Sequence, residues 1–333
     1  MLIMSVESTC DETAIAITKD GRQVLTDQIF SQADLHAIYG GVVPEIASRS
    51  HVEVISLLAD KAIKEAGITK ADIDAVAVSY APGLIGAVLV GVNFAKSVAL
   101  GLNIPLVPVH HIKGHIAANY IAFPELKPPF LCLAISGGNT LLVDVKDYTN
   151  MQVIGATRDD AAGECFDKTA RVLGMPYPGG KHVDELAKSG DDTKYKLPRA
   201  HIAVNPWDMS FSGLKTSVVN LVHNAEQKGE EIDKASLCAS FQKAVSDSLV
   251  PKTLELSNVL GYDQIVVAGG VAANSRIRGD FEKAVKAAEK KLYMPPLKLC
   301  GDNAAMIGCQ GYYEYLAGTR AGSDLNAYAN MEV

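Results

Sequence analysis

The chain has 333 residues, 48% hydrophobic and 21% charged, with a formal net charge of −7. That length exceeds one small core, so two domains are expected. The acidic balance excludes a broad, unaided grip on a phosphate backbone, which needs clustered Lys and Arg. The six cysteines (Cys10, Cys132, Cys165, Cys238, Cys300, Cys309) are scattered without a C-x-x-C pair. This excludes a disulfide framework or a zinc knuckle and fits a reducing cytosol.

The N-terminal run is apolar but has no basic flank and meets a carboxylate at Glu7, so it reads as a strand rather than a signal peptide. Residues 2–18 (LIMSVESTCDETAIAIT) form a strand, a small polar turn and a second strand. Periodicity then predicts a helix over 52–65, a strand over 75–79, a helix over 86–100 and a strand over 105–109. The longest apolar stretch, 84–102, contains Asn93 and Lys96 and reads as a buried helix, not a membrane span. Next comes His110-His111-Ile112-Lys113-Gly114-His115. At i and i+4, His111 and His115 share one helix face, and two imidazoles there can grip one metal ion. Metallopeptidases of the H-E-x-x-H kind carry their base directly after the first His. Ile112 stands there, so this pair brings no base with it.

Residues 131–145 (LCLAISGGNTLLVDV) repeat the opening hairpin, which indicates two related domains in tandem. Helices over 160–173, 235–260 and 275–290, a strand over 264–268 and a last helix over 303–316 complete an alternating α/β chain. That last helix is expected to fold back on the first half. The polar stretches 189–199 and 225–234 read as surface loops.

Three glycine turns could take an anion. Ser136-Gly137-Gly138-Asn139-Thr140 reads either as an anion nest or as a plain hairpin turn. In residues 266–274 a strand runs into Gly269-Gly270 and a helix start, where backbone can approach a phosphate or a ring. Asn274 reads as a contact to sugar or base, or as the helix cap. Tyr177-Pro178-Gly179-Gly180 is the third turn, with Asp184 one helical turn later. Asp167, in the acidic run 159–168, reads as a ligand contact or as part of a solvated face. Ser212-Gly213-Leu214-Lys215-Thr216 is like the end of a P-loop, but Leu214 separates Gly from Lys. No G-x-G-x-x-G occurs, so Walker and Rossmann sites are disfavoured. Asp302, after Gly301, reads as a third metal ligand or as a helix cap; two imidazoles and a carboxylate suit zinc or ferrous iron.

Taken in order, ESTCDET at 7–13, GGVVPEIASR at 40–49, HHIKGH at 110–115, SGG at 136–138, residues 159–169, FSGLKT at 211–216 and GDN at 301–303 resemble the TsaD (Gcp) family over nearly the whole chain. This family is the catalytic subunit of bacterial tRNA N6-adenosine threonylcarbamoyltransferase. The resemblance implies an α/β fold of two duplicated RNase-H-like domains in the actin/hexokinase/Hsp70-like (ASKHA) superfamily. These would be residues 1–130, with 303–333 packing back on them, and residues 131–302. It implies transfer of threonylcarbamoyl from threonylcarbamoyl-AMP to the N6 amine of the adenosine next to the anticodon, in tRNAs reading codons that begin with A, with release of AMP. It implies one divalent metal, Fe(2+) with Zn(2+) as the alternative, on His111, His115 and Asp302. Substrate contacts map to Ala134, Ile135, Ser136, Gly137, Gly138, Asp167, Gly180, Asp184 and Asn274, and Asp11 maps near the reacting group as the catalytic residue. A TsaB-like paralogue and a TsaE-like ATPase are the implied partners, in the cytoplasm and without a membrane.

The chain departs from the family pattern twice. Asn139 stands where His usually follows Ser-Gly-Gly, and Ser8 and Thr9 are exchanged. Neither change removes a proposed ligand, but the first removes any role for a His at that point. Arg49, Arg158, Lys168, Arg171 and Lys215 are candidates for a basic cleft that would reconcile the net charge with tRNA. A metallopeptidase using the His pair and a small-molecule kinase of the same superfamily are the competing readings.

Overall fold

The computed structural model describes residues 1–200 and 202–333. They form two compact units. Unit 1 comprises Met1–Pro128, Lys146–Met151 and Pro295–Val333; unit 2 comprises Pro129–Val145 and Gln152–Met294.

Unit 1 begins with β1 (Leu2–Glu7), β2 (Glu12–Lys19), β3 (Gln23–Ser31) and the short α1 (Ala33–Ala37). It continues through α2 (Pro44–Ala66), β4 (Ala75–Ala81), α3 (Ile85–Leu102), β5 (Leu106–His110) and α4 (His111–Ala122). The sheet runs β3-β2-β1-β4-β5. The first three strands are antiparallel, and β4 and β5 lie parallel to β1 and to each other.

Successive side chains of β1 face opposite sides of the sheet. Met4 and Val6 pack with Ile55, Ala59, Val88 and Val92 of α2 and α3. Ile3 packs on the other face with Ala118 of α4 and with Met306 and Ile307 of a last helix, α5 to α9 belonging to unit 2 and α10 being Ala304–Leu316. Helix α2 begins earlier than the expected 52, with Pro44 in its first turn, and stops at Gly67 with φ 67°. The apolar run 84–102 is α3, long and apolar enough to cross a membrane by length and composition. Ala87, Val88, Gly91, Val92, Ala95 and Ala99 form its buried stripe, while Leu89 and Leu100 are exposed. Helix α10 lies flat on the sheet because Gly308 has no side chain: a Cβ there would meet Thr18 Oγ1 at 2.6 Å.

Unit 2 contains β6 (Phe130–Ile135), β7 (Thr140–Val145), all but the first residue of β8 (Met151–Ala156), α5 (Ala162–Val172), α6 (Gly179–Ala187), α7 (Ser212–Lys228), α8 (Lys234–Leu260), β9 (Gln264–Ala268), α9 (Ser275–Ala287) and β10 (Lys291–Tyr293). Its sheet runs β10-β9-β6-β7-β8. Read from the other edge this is the order of the first sheet, with β6–β7 antiparallel and β6–β9 and β9–β10 parallel. The repeated hairpin therefore marks a repeated five-stranded plan.

Some elements differ from expectation. β3, β8 and β10 carry little apolar alternation and were not foreseen. Residues 225–228 are not loop but the end of α7, closed by Gly229 with φ 66°. The buried stripe Leu214, Val218 and Val222 ends before them, so the last turn is solvated and polar. Gly179 and Gly180 lie in the first turn of α6.

Candidate metal centre and glycine cradle

Three elements of unit 1 bring the proposed ligands together. β5 ends at His110, whose side chain accepts a hydrogen bond from Ile112 N (3.3 Å) and starts α4 at His111. One turn on, His115 lies on the same face. Asp302 immediately precedes Asn303, which caps α10 by accepting from Met306 N (2.9 Å). The capping role is thus taken by Asn303, and the Asp302 carboxylate turns to the histidines. Its Oδ1 is 3.2 Å from His115 Nε2 and 3.6 Å from His111 Nε2. One donor atom from each of the three residues lies within 4.8 Å of the others. Nδ1 of buried His115 has no hydrogen-bond partner, and its Nε2 faces the Asp302 carboxylate. Two imidazoles and a carboxylate fit a divalent cation.

The electrostatics follow from burial. Burial opposes a charged His111, but the carboxylates of Glu7 and Asp302 outweigh it and raise its pKa to about 9. Burial likewise opposes an ionised Asp302, and the two histidines outweigh it and hold that carboxyl low. Burial, then Asp302 and Asp11, push Glu12 strongly upward. Buried Asp11 and half-buried Glu12 therefore share one acidic environment with Asp302. Backbone and side chains tie down the loop that carries them. Asp11 O accepts from Gln32 N (2.9 Å), and Ser31 Oγ donates to Glu12 Oε1 (3.1 Å). His51 of α2 lies 2.7 Å from Thr13 Oγ1 and 2.9 Å from Cys10 O.

One residue went unassigned in the sequence reading. Glu7 ends β1 fully buried, with Oε2 2.9 Å from His111 Nδ1. A carboxylate inside an apolar strand was the available signal, since such a group stays buried only when paired.

In unit 2 the ends of parallel strands β6 and β9 place two glycine turns side by side. The first closes with Ser136 N donating to Asn139 O (2.8 Å). Gly269, at φ +94°, begins the second, and a Cβ there would lie 2.4 Å from Ile135 O. Around Gly137, Gly138 and Gly270 an added Cβ would meet nothing within 4 Å, so these backbones border open space. Ala134 and Ile135 are buried in β6 beneath the first turn.

The polar candidates hold this frame. Asp167 Oδ1 accepts from Gly179 N (2.8 Å), fixing the start of α6 beside Gly180. Asp184 accepts from Ser275 N (3.1 Å) and Ser275 Oγ (2.7 Å). Asn274 caps α9 by accepting from Ile277 N (3.0 Å) and donates to Gln242 Oε1. The P-loop-like stretch is the start of α7, where Lys215 pairs with Asp160 (2.5 Å). Lys168 pairs with Asp160 and Glu164, Arg158 with Asp208, and Arg49 with Glu45. These basic side chains are therefore already partnered by carboxylates of their own unit.

Comparison with known proteins adds an independent finding. A family model described as TsaD, tRNA N6-adenosine threonylcarbamoyltransferase, matches residues 23–309. A Clostridium botulinum protein named tRNA N6-adenosine threonylcarbamoyltransferase is 49% identical over 331 residues, 99% of this chain and 97% of that protein. Among solved structures, HypF of T. kodakarensis matches with TM-score 0.64 at 15% identity, covering 97% of this chain and 49% of that one. A ROK hexokinase from Thermus thermophilus matches with TM-score 0.50 at 12% identity, over 96% of this chain and 100% of that one. At such identities these likenesses speak to the fold alone: an actin/hexokinase/Hsp70-like architecture, consistent with the two sheets of like strand order.

Proposed function

Because the chain belongs to the TsaD family of tRNA N6-adenosine threonylcarbamoyltransferases, and is a transferase of tRNA modification, we propose that its donor is threonylcarbamoyl-AMP. The acceptor is the N6 amine of the adenosine next to the anticodon, in tRNAs reading codons that begin with A. The observation that carries the reading is the convergence of His111, His115 and Asp302 in a chain of this family. These three residues would hold one divalent ion, Fe(2+) or alternatively Zn(2+). When bound, such an ion supplies a Lewis acid for an oxygen that gains negative charge.

The protein's own residues do the rest. The donor is a mixed anhydride and already activated, so the demands are alignment and charge stabilisation. In unit 2 the backbone N–H groups of the Ser136–Gly138 and Gly269–Gly270 turns would cradle the nucleotide, over Ala134 and Ile135. Asp167, Gly180, Asp184 and Asn274 frame that cradle. Asp11 of unit 1 would orient the incoming amine and take its proton as the new N–C bond forms and the C–O bond to AMP breaks. The leaving AMP keeps that electron pair. The adenine must leave its stack, because a stacked exocyclic amine is poorly reached. With a net charge of −7 and paired basic side chains, a TsaB-like paralogue and a TsaE-like ATPase would help to hold the tRNA, in the cytoplasm.

Reconstitution tests this reading. The chain, partner proteins, threonylcarbamoyl-AMP and unmodified tRNA are mixed, and digested nucleosides are read by mass spectrometry. Threonylcarbamoyladenosine is expected with the wild type and absent with His111→Ala. No product from the wild type, with active partners and correct tRNA, contradicts it.

A further inference from the structure

We propose that Glu7 is the positioning residue of the metal centre: its carboxylate fixes the His111 ring with Nε2 toward His115 and Asp302, and supplies the site's second negative charge. This rests on the reading of His111, His115 and Asp302 as metal ligands.

The geometry is specific. Glu7 is fully buried at the end of β1. Its Oε1 accepts from Thr9 N (2.6 Å) and its Oε2 from His111 Nδ1–H (2.9 Å). Thr9 Oγ1 stands 3.2 Å from the same ring nitrogen. Both carboxylate oxygens are thus fixed, and the imidazole is held on its Nδ1 edge. Only Nε2 remains to face Asp302. A carboxylate behind a ligating His sets its tautomer and raises its basicity. Among the described residues, the one ion-pair partner recorded for Glu7 is His111. With both imidazoles neutral as ligands, the carboxylates of Glu7 and Asp302 would carry the charge that a divalent cation cancels, in keeping with an acid buried without Lys or Arg.

The second histidine differs. No carboxylate backs its Nδ1, which has no hydrogen-bond partner; its ring meets that of His111 edge-on, with centroids 4.6 Å apart at 78°. Glu7 therefore acts through one ligand only, and its removal should be felt through His111.

The test uses the full chain and Co(II) as probe. Glu7→Gln keeps size and an acceptor but removes the charge; Glu7→Asp keeps the charge but withdraws it by one methylene. Competition against a chromophoric chelator should show Co(II) affinity falling about ten- to hundredfold in Glu7→Gln, with a shifted Co(II) d–d spectrum. In a His111→Ala background, Glu7→Gln should have no further effect. A Glu7→Gln chain that melts earlier but binds Co(II) with unchanged affinity and spectrum would leave Glu7 a merely structural residue and overturn the inference. If the variants do not fold, ¹⁵N-histidine NMR of the Zn(II)-loaded wild type decides. Zinc on Nε2 with a protected Nδ1–H is expected, and zinc on Nδ1 overturns the inference. A wild type that binds neither ion overturns it together with the ligand assignment; unchanged binding in Glu7→Gln overturns the Glu7 role alone.

Discussion

The candidate centre of unit 1 and the cradle of unit 2 are built from opposite materials. In unit 1 the working groups are side chains: His111 and His115 turned to Asp302, and Asp11, Glu12 and Asp302 gathered despite their like charge. In unit 2 the polar side chains singled out, Asp167, Asp184 and Asn274, are already engaged in fixing helix starts. The free space there lies over the backbone of Gly137, Gly138 and Gly270. Unit 1 offers atoms, and unit 2 offers shape. Substitutions should then separate the two: ligand loss with little unfolding in unit 1, and loss of fold first in unit 2.

The largest effect expected is at the ligands. His115→Ala and Asp302→Ala should each lower metal affinity and transfer by more than about a hundredfold, since even an outer partner contributes ten- to hundredfold. The metal-free melting temperature should move little. Equal losses of stability and affinity would break the contrast.

Glycines of the cradle sharpen it. Gly269→Ala adds a Cβ at a positive φ and against Ile135 O, which should cost about 3 kcal/mol in denaturant unfolding. Gly270→Ala adds one into open space. It should leave stability within about 1 kcal/mol while raising the donor KM roughly tenfold, the equivalent of about 1.4 kcal/mol.

Within unit 1, His110 makes an acid-sensitive contribution of its own, opposite in sign to those of His111 and Glu12, whose raised pKa values favour the folded chain as pH falls. His36, His51, His110, His111 and His115 are buried, whereas His182 and His223 are exposed. Burial, aided by His111 and Lys113, depresses the His110 pKa from 6.5 to about 4. The unfolded chain takes up that proton near pH 6.5 and the folded chain does not. This contribution to stability is therefore intact above 6.5 and is lost as pH falls toward 4. Between pH 8 and pH 5 the loss is about 2 kcal/mol. His110→Asn keeps a capping acceptor and should flatten that part of the unfolding profile; an unchanged profile would count against it. The smallest stability effect is at Asp184→Ala, which loses the bonds to Ser275 and should cost about 1 kcal/mol, read as a lower melting temperature alongside a raised donor KM.

The same contrast explains what could be read in advance. A period of four residues puts His111 and His115 on one face whatever the fold, so the pair was legible from the chain. Asp302 stayed ambiguous because its partner lies across tertiary space; only the neighbouring Asn303, which takes the cap, frees it. The ESTCDET block was recognisable as a motif, yet nothing in spacing says that Glu7 points inward beside His111. In unit 2, the strand-to-glycine pattern before Asn274 gave both its possible roles. The cap is what the folded chain adds, along with the bond to Gln242. The duplicated hairpin carried the fold plan. The edge strands β3, β8 and β10 escaped because edge positions tolerate polar residues and leave a weak alternation.

The most direct measurement is equilibrium dialysis of the metal-stripped chain against Fe(2+) or Zn(2+) under reducing, oxygen-free conditions, with metal per chain counted for wild type and His115→Ala. One ion per wild-type chain and none in the variant is the expected result. A wild type that takes up no ion, or a variant that retains it, would contradict a centre made by His111, His115 and Asp302.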